Sequence, residues 1–307
     1  MFIRTVSLWR KNIYRHWQLY CIVALPVLFL ITFNYVPMIG VQIAFKEFNP
    51  TQGIWHSPWV GGEQFEMFFG SPYFWPIIKN TLLLSVYALC IGTPATILLA
   101  LALNEVKNQR FKKIVQMFTY APYFISTVVL VGMINIILSP TTGLYGQLSH
   151  LFGVENVYDV LGESKAFSSL YVWSGVWQET GYGAVIYLAA LANVNPELYE
   201  ASKIDGASRI QKIIHIDLPA IRPTIIVLFI LAVGGLMSVG FEKVFLLQNM
   251  LNLSTSEVIS TYVYKIGLVN TNYSFGVAVG LFNSVVGFIL IFTTNVLARK
   301  FSDSSLF

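Results

Sequence analysis

The sequence predicts an all-α membrane protein with six transmembrane helices and both termini on the cytoplasmic side. Three observations predict this fold class. Apolar residues make up 55% of the 307 residues and charged residues only 11%, whereas a soluble domain carries about 25% charged residues. Six runs are apolar and long enough to cross about 30 Å of hydrocarbon. Lys and Arg are concentrated in alternate connections, as they are in cytoplasmic loops.

The six apolar runs define the predicted spans in chain order. They cover Leu19–Pro37, Thr81–Leu103, Ile114–Leu138, Ser169–Leu191, Thr224–Phe241 and Ser274–Leu297. Five contain no charged residue, and the fourth contains only Glu179. Each run is too long for a buried strand, so each is expected to be helical. Prolines inside three of the runs are tolerated, because membrane helices accommodate them.

The orientation follows from the positions of the 19 Lys and Arg residues. With the N terminus inside, fourteen of them lie in the inner segments (1–18, 104–113, 192–223 and 298–307) and five lie outside. The acidic residues leave the outer side mildly negative. The net charge of +4 is therefore interpreted as a topology signal, and no nucleic-acid partner is expected.

The inner loop 192–223 carries recognisable helix boundaries. Asn195 is a good N-cap and Pro196 suits the first helical position. A short helix is therefore predicted to end near Asp205-Gly206, where glycine tolerates the left-handed conformation. A second short helix is predicted from Ala207 to about His215. Two prolines, Pro219 and Pro223, are expected to separate it from the fifth span.

The side chains of this loop favour close contact with another molecule. Its small residues are Ala201, Ser202, Gly206, Ala207 and Ser208, and they would let a second backbone approach. Glu200 and Asp205 add charged groups. These residues leave two interpretations open: a docking protrusion for a soluble partner, or an amphipathic linker on the membrane surface.

One pattern in the loop resembles a known family. Its order is Glu200-Ala201-Ser202, three residues, Gly206, nine residues, Ile216, one residue and Leu218-Pro219. It resembles the EAA signature of membrane subunits of binding-protein-dependent ABC importers, with Ser202 in place of the commoner second alanine. Further matches across about residues 75–300 resemble the carbohydrate-uptake branch, particularly its oligosaccharide and polysaccharide permeases. They include Asp205-Gly206-Ala207-Ser208 and the series Trp173, Trp177 and Gly181.

The resemblance implies a type I ABC importer permease. Residues 1–307 would form a single transmembrane domain, with an N-terminal helix and outer loop at 1–74 and a permease core at 75–300. In the family, the inner loop is a coupling helix that sits in a cleft of a cytoplasmic ATPase. Carried over, the ATPase contact falls to Glu200, Ala201, Ser202, Asp205 and Gly206. Ile216, Leu218 and Pro219 would brace the loop against the membrane domain.

The resemblance also implies a set of partners in a bacterial inner membrane. They are a second permease subunit, two cytoplasmic ATPase subunits and an extracytoplasmic substrate-binding protein. This chain has no G-x-x-x-x-G-K-[ST] loop for nucleotide phosphates. ATP and Mg are therefore expected on the ATPase, and no cofactor is expected on this chain. No metal-ligand or G-x-S-x-G spacing is present, so no enzyme activity is expected.

Candidate substrate contacts lie inside the spans. An ionisable residue there is a functional hypothesis by default, and sugars are bound by aromatic faces together with carboxylates and amides. The candidates are Glu179, Trp173, Trp177, Tyr182, Asn135, Asn283 and Glu242. Other roles stay open: the tryptophans suit the membrane interface, the asparagines suit bonds between helices, and Glu242 is placed to pair with Lys243.

The leading functional hypothesis is half of the translocation pathway of an ATP-driven carbohydrate importer, with an oligosaccharide as substrate. The alternatives are an ion-coupled secondary transporter, an ABC permease for a non-sugar solute, and a membrane scaffold without transport. A secondary transporter is disfavoured because only one acidic residue lies deep in a span and no inverted repeat is evident.

Overall fold

The computed structural model describes residues 15–301, with the backbone alone for Phe301. This range is largely helical, and its β pairing is limited to one antiparallel bridge between Lys46 and Trp59. The predicted all-α class is confirmed. Three of the basic residues that set the predicted orientation, Arg4, Arg10 and Lys11, lie outside the described residues.

Residues 15–192 form eight α-helices. They are α1 (Trp17–Leu30), α2 (Gly53–His56), α3 (Glu63–Phe69), α4 (Phe74–Glu105), α5 (Gln109–Tyr120), α6 (Thr127–Leu138), α7 (Leu144–Leu151) and α8 (Ser164–Ala192). Helix α5 is followed by a 3-10 turn (Ala121–Phe124). Helix α1 is extended by a π turn (Ile31–Tyr35) and a 3-10 helix (Val36–Phe45). The first predicted span thus continues eight residues beyond Pro37, into the predicted outer loop.

Residues 193–301 form seven more α-helices. They are α9 (Pro196–Ile204), α10 (Arg209–Lys212), followed by a π turn (Ile213–Asp217), α11 (Leu218–Gly234), α12 (Phe241–Leu247), α13 (Leu253–Ser256), α14 (Ile259–Val263), followed by a π turn (Tyr264–Val269), and α15 (Tyr273–Phe301). Short helices therefore occupy both the inner loop 192–223 and the segment between α11 and α15.

Within residues 15–301, four continuous helical stretches are long and apolar enough to cross a membrane: 17–45, 74–105, 209–234 and 273–300. The bent pair of α5 and α6 would be a fifth. Helix α8 has 29 residues, about 43 Å at 1.5 Å per residue, but carries Gln178 and Glu179 near its middle. The six-span count and the side of the termini stay predictions.

The third predicted span, Ile114–Leu138, is not one helix. Helices α5 and α6 meet at an angle of 97°. Pro122 lacks the N–H that would continue the first helix, and Ser126 caps the second. The carbonyl of Ile125, freed at the break, accepts a hydrogen bond from Gln178 Nε2 at 2.7 Å. The apolar run hid the break because apolarity carries no information about direction.

The predicted boundary before the fifth span is also wrong. Helix α10 continues through the π turn into α11 and forms one stretch over 209–234, so Pro219 and Pro223 do not separate them. A proline ring clashes with the carbonyl four residues earlier. The π turn lies immediately before Leu218-Pro219, where the regular helical pairing is already interrupted, and Pro223 is accommodated inside α11. The stretch then ends at Gly234 rather than Phe241.

Helix α8 is the central packing element at the inner end of the bundle. Ala184, Tyr187 and Leu191 of α8 are buried in one cluster with Leu101 of α4 and Ile221 of α11. These side chains pack α8, which precedes the inner loop, against α11, which follows it. The loop is therefore held at both ends by one apolar core.

A close crossing at Gly181 joins α5 to α8. A Cβ atom at Gly181 would lie 1.9 Å from the Thr119 carbonyl oxygen. We expect Gly181→Ala to force the helices apart and lower the free energy of unfolding by about 1–3 kcal/mol, as overpacking does. Thermal unfolding of the purified protein in detergent measures the loss. Gly132→Ala is the matched control, since its Cβ would meet nothing within 4 Å; equal melting temperatures would contradict the tight crossing.

Candidate functional site

The inner loop begins with a helix that is capped at both ends. Asn195 Oδ1 accepts a hydrogen bond from the Glu197 N–H at 3.0 Å. Gly206 has a φ of +69°, and the Ala207 N–H donates to the Ser202 carbonyl at 2.9 Å. This is the Schellman closure of a helix at glycine. The predicted boundaries of α9 are confirmed.

A second cap fixes the turn into α10. The Ser208 N–H donates to Gln211 Oε1 at 2.7 Å, and the Gln211 N–H donates to Ser208 Oγ at 3.3 Å. This reciprocal pair is a capping box, for which Ser-x-x-Gln is the sequence signal. The end of α9 and the start of α10 are therefore both capped, which fixes the turn between the two helices.

The protrusion presents the predicted ATPase-contact residues. Glu200, Ala201, Asp205 and Gly206 are exposed, and Ser202 is half-buried. Helices α9 and α10 enclose a groove of about 440 Å³, and Ala201, Ser202, Asp205, Gly206 and Ile216 lie along it. Such an open groove between two fixed helices suits contact with a soluble partner.

The predicted bracing residues occupy different environments. Leu218 packs on the apolar cluster shared by α4, α8 and α11. Ile216 is half-buried and lines the groove of the protrusion. Pro219 is exposed. Leu218 thus makes the bracing contact with the bundle, and the roles of the other two residues stay predictions.

A buried polar cluster ties the inner loop to the end of α4. Asp217, in the π turn, is fully buried. It accepts hydrogen bonds from the Tyr199 hydroxyl at 2.6 Å and from Asn104 Nδ2 at 3.4 Å. Beside it, Lys212 forms an ion pair with Glu105. Helix α9 is thereby connected to α4 through the side chains of Tyr199, Asp217 and Asn104.

The Tyr199 hydroxyl makes the shorter of the two hydrogen bonds to Asp217. Burial, and after it the hydrogen bond to Asp217, raises the pKa of Tyr199 to about 12, so the phenol stays protonated and a donor at neutral pH. The second Asp217 oxygen is buried with no hydrogen-bond partner among the described residues. Sequence reasoning missed this cluster, whose one signal was an acidic residue in an apolar segment, between Ile216 and Leu218.

A second region of interest is a cavity of about 500 Å³ between α4, α8, α11 and α12. Glu179 lines it and is exposed. Five residues with a hydroxyl group line the same space: Thr93, Thr96, Tyr171, Thr180 and Tyr187. The acidic residue that the sequence singled out therefore lies in a cavity inside the bundle whose lining is mostly apolar, with a few hydroxyl and charged groups.

Lys243 is the basic residue of this cavity. Its side chain is 8% exposed, and its Nζ donates to the Tyr171 carbonyl at 2.9 Å and lies 4.8 Å from the Tyr171 ring centroid. The predicted pairing with Glu242 is wrong, since Glu242 is exposed and adjacent residues of a helix do not face each other. Sequence reasoning did not include Lys243 or Tyr171 among the site residues.

The aromatic candidates on α8 do not join Glu179. Trp173 and Trp177 are six and two residues before it, spacings that place them on another face of the helix. Trp173 lines an apolar groove beside α6. Tyr182 stacks on Tyr123 with ring centroids 4.0 Å apart. None of the three lines the cavity that contains Glu179.

The asparagine candidates also lie elsewhere. Asn135 is exposed on α6. Asn283 is half-buried on α15, and its Oδ1 has no hydrogen-bond partner among the described residues. Residues 15–301 contain no group of three or more His, Cys, Asp or Glu side chains placed to hold a metal ion. A substrate role for these asparagines stays a prediction.

Comparisons with known proteins agree with the resemblance found in the sequence. The family described as "Binding-protein-dependent transport system inner membrane component" matches residues 92–303. Protein LplB of Bacillus subtilis (strain 168) is 42% identical, over 97% of this chain and 94% of its own length. The polygalacturonan/rhamnogalacturonan transport system permease protein YteP of the same organism is 42% identical, over 94% of this chain and 90% of its own length.

Two solved structures share the fold. A bacterial ABC transporter involved in the import of the acidic polysaccharide alginate contains a chain that is 40% identical, with a TM-score of 0.87 over 96% of this chain and 99% of that chain. In the same kind of transporter, bound to a periplasmic protein carrying an alginate pentasaccharide, the values are 38% and 0.88. The matched family is one of transport permeases and not of enzymes. This chain belongs to the family of binding-protein-dependent transport system inner membrane components.

Proposed function

We propose that this chain is the permease subunit of an ATP-driven importer and forms half of the translocation pathway for an oligosaccharide. The observation that carries the proposal is the construction of the inner loop. Helices α9 and α10 form an exposed protrusion with fixed ends, and the buried Asp217 joins that protrusion to α4. A partner that moves the protrusion would therefore move a long membrane helix with it.

The partner in this proposal is a cytoplasmic ATPase. It contacts Glu200, Ala201, Ser202, Asp205 and Gly206 along α9. Two ATPase subunits bind ATP and Mg, and this chain binds neither. Closure of the ATPase pair on ATP shifts α9, and the shift changes which side of the membrane the pathway opens to.

The remaining parts of the importer follow from the same proposal. A second permease subunit completes the pathway, and a substrate-binding protein delivers the solute on the outer side. The chain crosses a bacterial inner membrane six times, with both termini in the cytoplasm. In this proposal the bent pair of α5 and α6 forms one span and the polar helix α8 forms another. Both spans contact other subunits in the assembled complex.

The substrate class rests on the related proteins. YteP is named for polygalacturonan and rhamnogalacturonan, and the matching structures for alginate. All of these are polysaccharides, so an oligosaccharide is the proposed solute here. Glu179 and the hydroxyl groups around it would hydrogen-bond sugar hydroxyls in the cavity. A non-sugar solute and ion-coupled uptake are the competing outcomes of the test.

The proposal predicts ATP-driven uptake by the reconstituted complex. Vesicles containing this chain, its partner permease and the ATPase pair should hydrolyse ATP faster when loaded binding protein is added. They should also accumulate labelled oligosaccharide only when ATP is present on the ATPase side. Initial rates of phosphate release and of solute uptake, measured on the same vesicles, test both statements.

Three results would contradict the proposal in different ways. Uptake that continues without the ATPase and stops when a protonophore is added would show ion coupling. ATP-driven uptake of amino acids or phosphate, with none of any carbohydrate, would show a non-sugar permease. Binding of the ATPase without flux of any solute would show a scaffold. Vesicles with an ATPase that cannot hydrolyse ATP are the control.

A further inference from the structure

The Lys243 side chain is held in place at the wall of the cavity. Its Nζ is fixed by the Tyr171 carbonyl at 2.9 Å and by the face of the Tyr171 ring. The Tyr171 hydroxyl lies beside Gly240, where an added Cβ would be 3.3 Å from it. Gly240 is the residue immediately before α12. Tyr171 therefore contacts both the start of the helix that carries Lys243 and the Lys243 ammonium group.

The ammonium group has unused capacity to bind an anion. An ammonium group has three N–H donors, and the structure gives Lys243 one hydrogen-bond acceptor. The described residues place no carboxylate oxygen within 4.0 Å of its Nζ. A buried charge without a paired counter-charge is costly. Glu179 lines the same cavity but lies beyond ion-pair distance, so an anionic group that entered the cavity would form the close ion pair that Lys243 lacks.

The space in front of the Lys243 ammonium group is open because the residue of α8 that faces it, Gly175, has no side chain. A Cβ atom at Gly175 would lie 3.2 Å from Lys243 Nζ. Gly92 and Gly183 line the same cavity. Any larger side chain at Gly175 would displace the ammonium group or cover it. The absence of a side chain there leaves the cation accessible from inside the cavity.

We propose that Lys243 binds the carboxylate of an acidic oligosaccharide during translocation, so that the importer favours uronic-acid chains over neutral chains. This inference rests on the proposed function, because it names the substrate class of that same pathway. Glu179 and the threonine hydroxyls face the same space and hydrogen-bond the sugar hydroxyls. The negative charge of Glu179 also limits the net positive charge of the cavity. The carboxylate of the sugar is therefore not held too tightly by Lys243 and is released after passage.

The test compares Lys243→Gln with Lys243→Arg in reconstituted vesicles. Each variant is given di- to pentasaccharides of galacturonate, mannuronate and glucuronate, and the same chains with their carboxyl groups reduced to hydroxymethyl groups. The binding protein is identical throughout, and uptake is expressed per loaded binding protein. A difference between variants therefore arises in the permease.

Lys243→Gln should reduce the uptake of acidic chains by about tenfold or more, because a charge-assisted contact is lost. It should leave uptake of the reduced chains within about a factor of two, which corresponds to less than 0.5 kcal/mol. Lys243→Arg should retain most acidic uptake. Gly175→Ala should raise the half-saturating concentration for acidic chains more than for reduced chains.

The possible results separate the inference from the proposed function. Equal losses for acidic and reduced chains would show that Lys243 only tethers α12 to α8. Transport of neutral chains alone by the wild-type complex would overturn the inference and leave the importer intact. Failure to transport any carbohydrate would overturn the proposed function, and the inference with it. Amounts of each variant in the vesicles are matched by quantitative immunoblotting.

Discussion

Replacing Gly206 with Trp is expected to abolish ATP-driven uptake. The rate stimulated by loaded binding protein should fall at least about tenfold, because a large side chain at the centre of the contact between α9 and the ATPase prevents close approach. Gly206 is exposed at the end of α9, and an added Cβ would meet nothing within this chain. A side chain there would therefore project towards the ATPase in the proposed complex. Stimulation by loaded binding protein, and the amount of ATPase that copurifies, measure the loss.

The same substitution also strains the backbone, and that effect has to be separated. Gly206 has a φ of +69°, where a side chain costs about 1–2 kcal/mol. Gly153 is the matched control: its φ is +82°, and its Cβ would also meet nothing within 4 Å. It lies in the predicted outer loop after α7, so Gly153→Trp carries similar strain on the opposite side of the membrane. We expect that variant to transport normally.

A second comparison at Gly206 distinguishes conformation from bulk. Asparagine tolerates the left-handed conformation better than other non-glycine residues, so Gly206→Asn should give an intermediate rate. Normal uptake by Gly206→Trp would show that this part of α9 does not contact the ATPase. Equal losses for Gly206→Trp and Gly153→Trp would attribute both to impaired folding.

The positions of the helices were predictable where they depend only on the apolar composition of a segment and on capping residues at its ends. Runs of apolar residues place α4, α8 and α15 to within a few residues at most ends, since transfer from water to lipid depends on composition. Asn195 and Gly206 mark the ends of α9 because capping chemistry is local. The break near Ile125 has local signals in Pro122 and Ser126, but the angle between α5 and α6 was not predictable, since it depends on contacts with residues distant in sequence such as Gln178.

The candidate site was predicted less completely because its contacts are long-range. Glu179 was identified from its charge inside a span. The residues that share its cavity come from other helices: Lys243 is 64 positions further along the chain, and Thr96 is 83 positions earlier. The tryptophans were grouped with Glu179 by proximity in sequence, whereas a helix turns them away within two residues. In the sequence, Asp217 is only an acidic residue in an apolar segment. Its role as the acceptor that joins Tyr199 to Asn104 is visible only in the folded structure, where it is buried.

Removing the Asp217 carboxyl group should disconnect ATP hydrolysis from transport. Asp217 is fully buried and holds Tyr199 of α9 and Asn104 of α4 at once. In Asp217→Ala, both half-buried donors lose their acceptor; a fully buried unpaired group costs about 1–3 kcal/mol, which is the upper limit for each. We expect ATP hydrolysis to continue while uptake falls by about tenfold or more, because movement of α9 would no longer be transmitted to α4.

The Tyr199 hydroxyl tests the same connection with a smaller change. Tyr199→Phe keeps the ring beside Lys212 and removes only the donor to Asp217. Uptake per ATP hydrolysed should fall, while the amount of copurified ATPase stays constant. Tyr262→Phe is the matched control, because Tyr262 makes ring contacts and its hydroxyl has no hydrogen-bond partner among the described residues.

A double-mutant cycle decides whether the two groups act together. If Tyr199 acts through Asp217, Tyr199→Phe should add little to the loss caused by Asp217→Ala, and the interaction energy should lie in the range of about 0.5–3 kcal/mol typical of contacting residues. Additive losses would mean that the hydrogen bond does not carry the coupling. Loss of ATPase binding in either variant would instead show that the cluster only supports the docking surface. Unchanged uptake per ATP in both would leave Leu218 and the apolar core as the connection between α9 and the bundle.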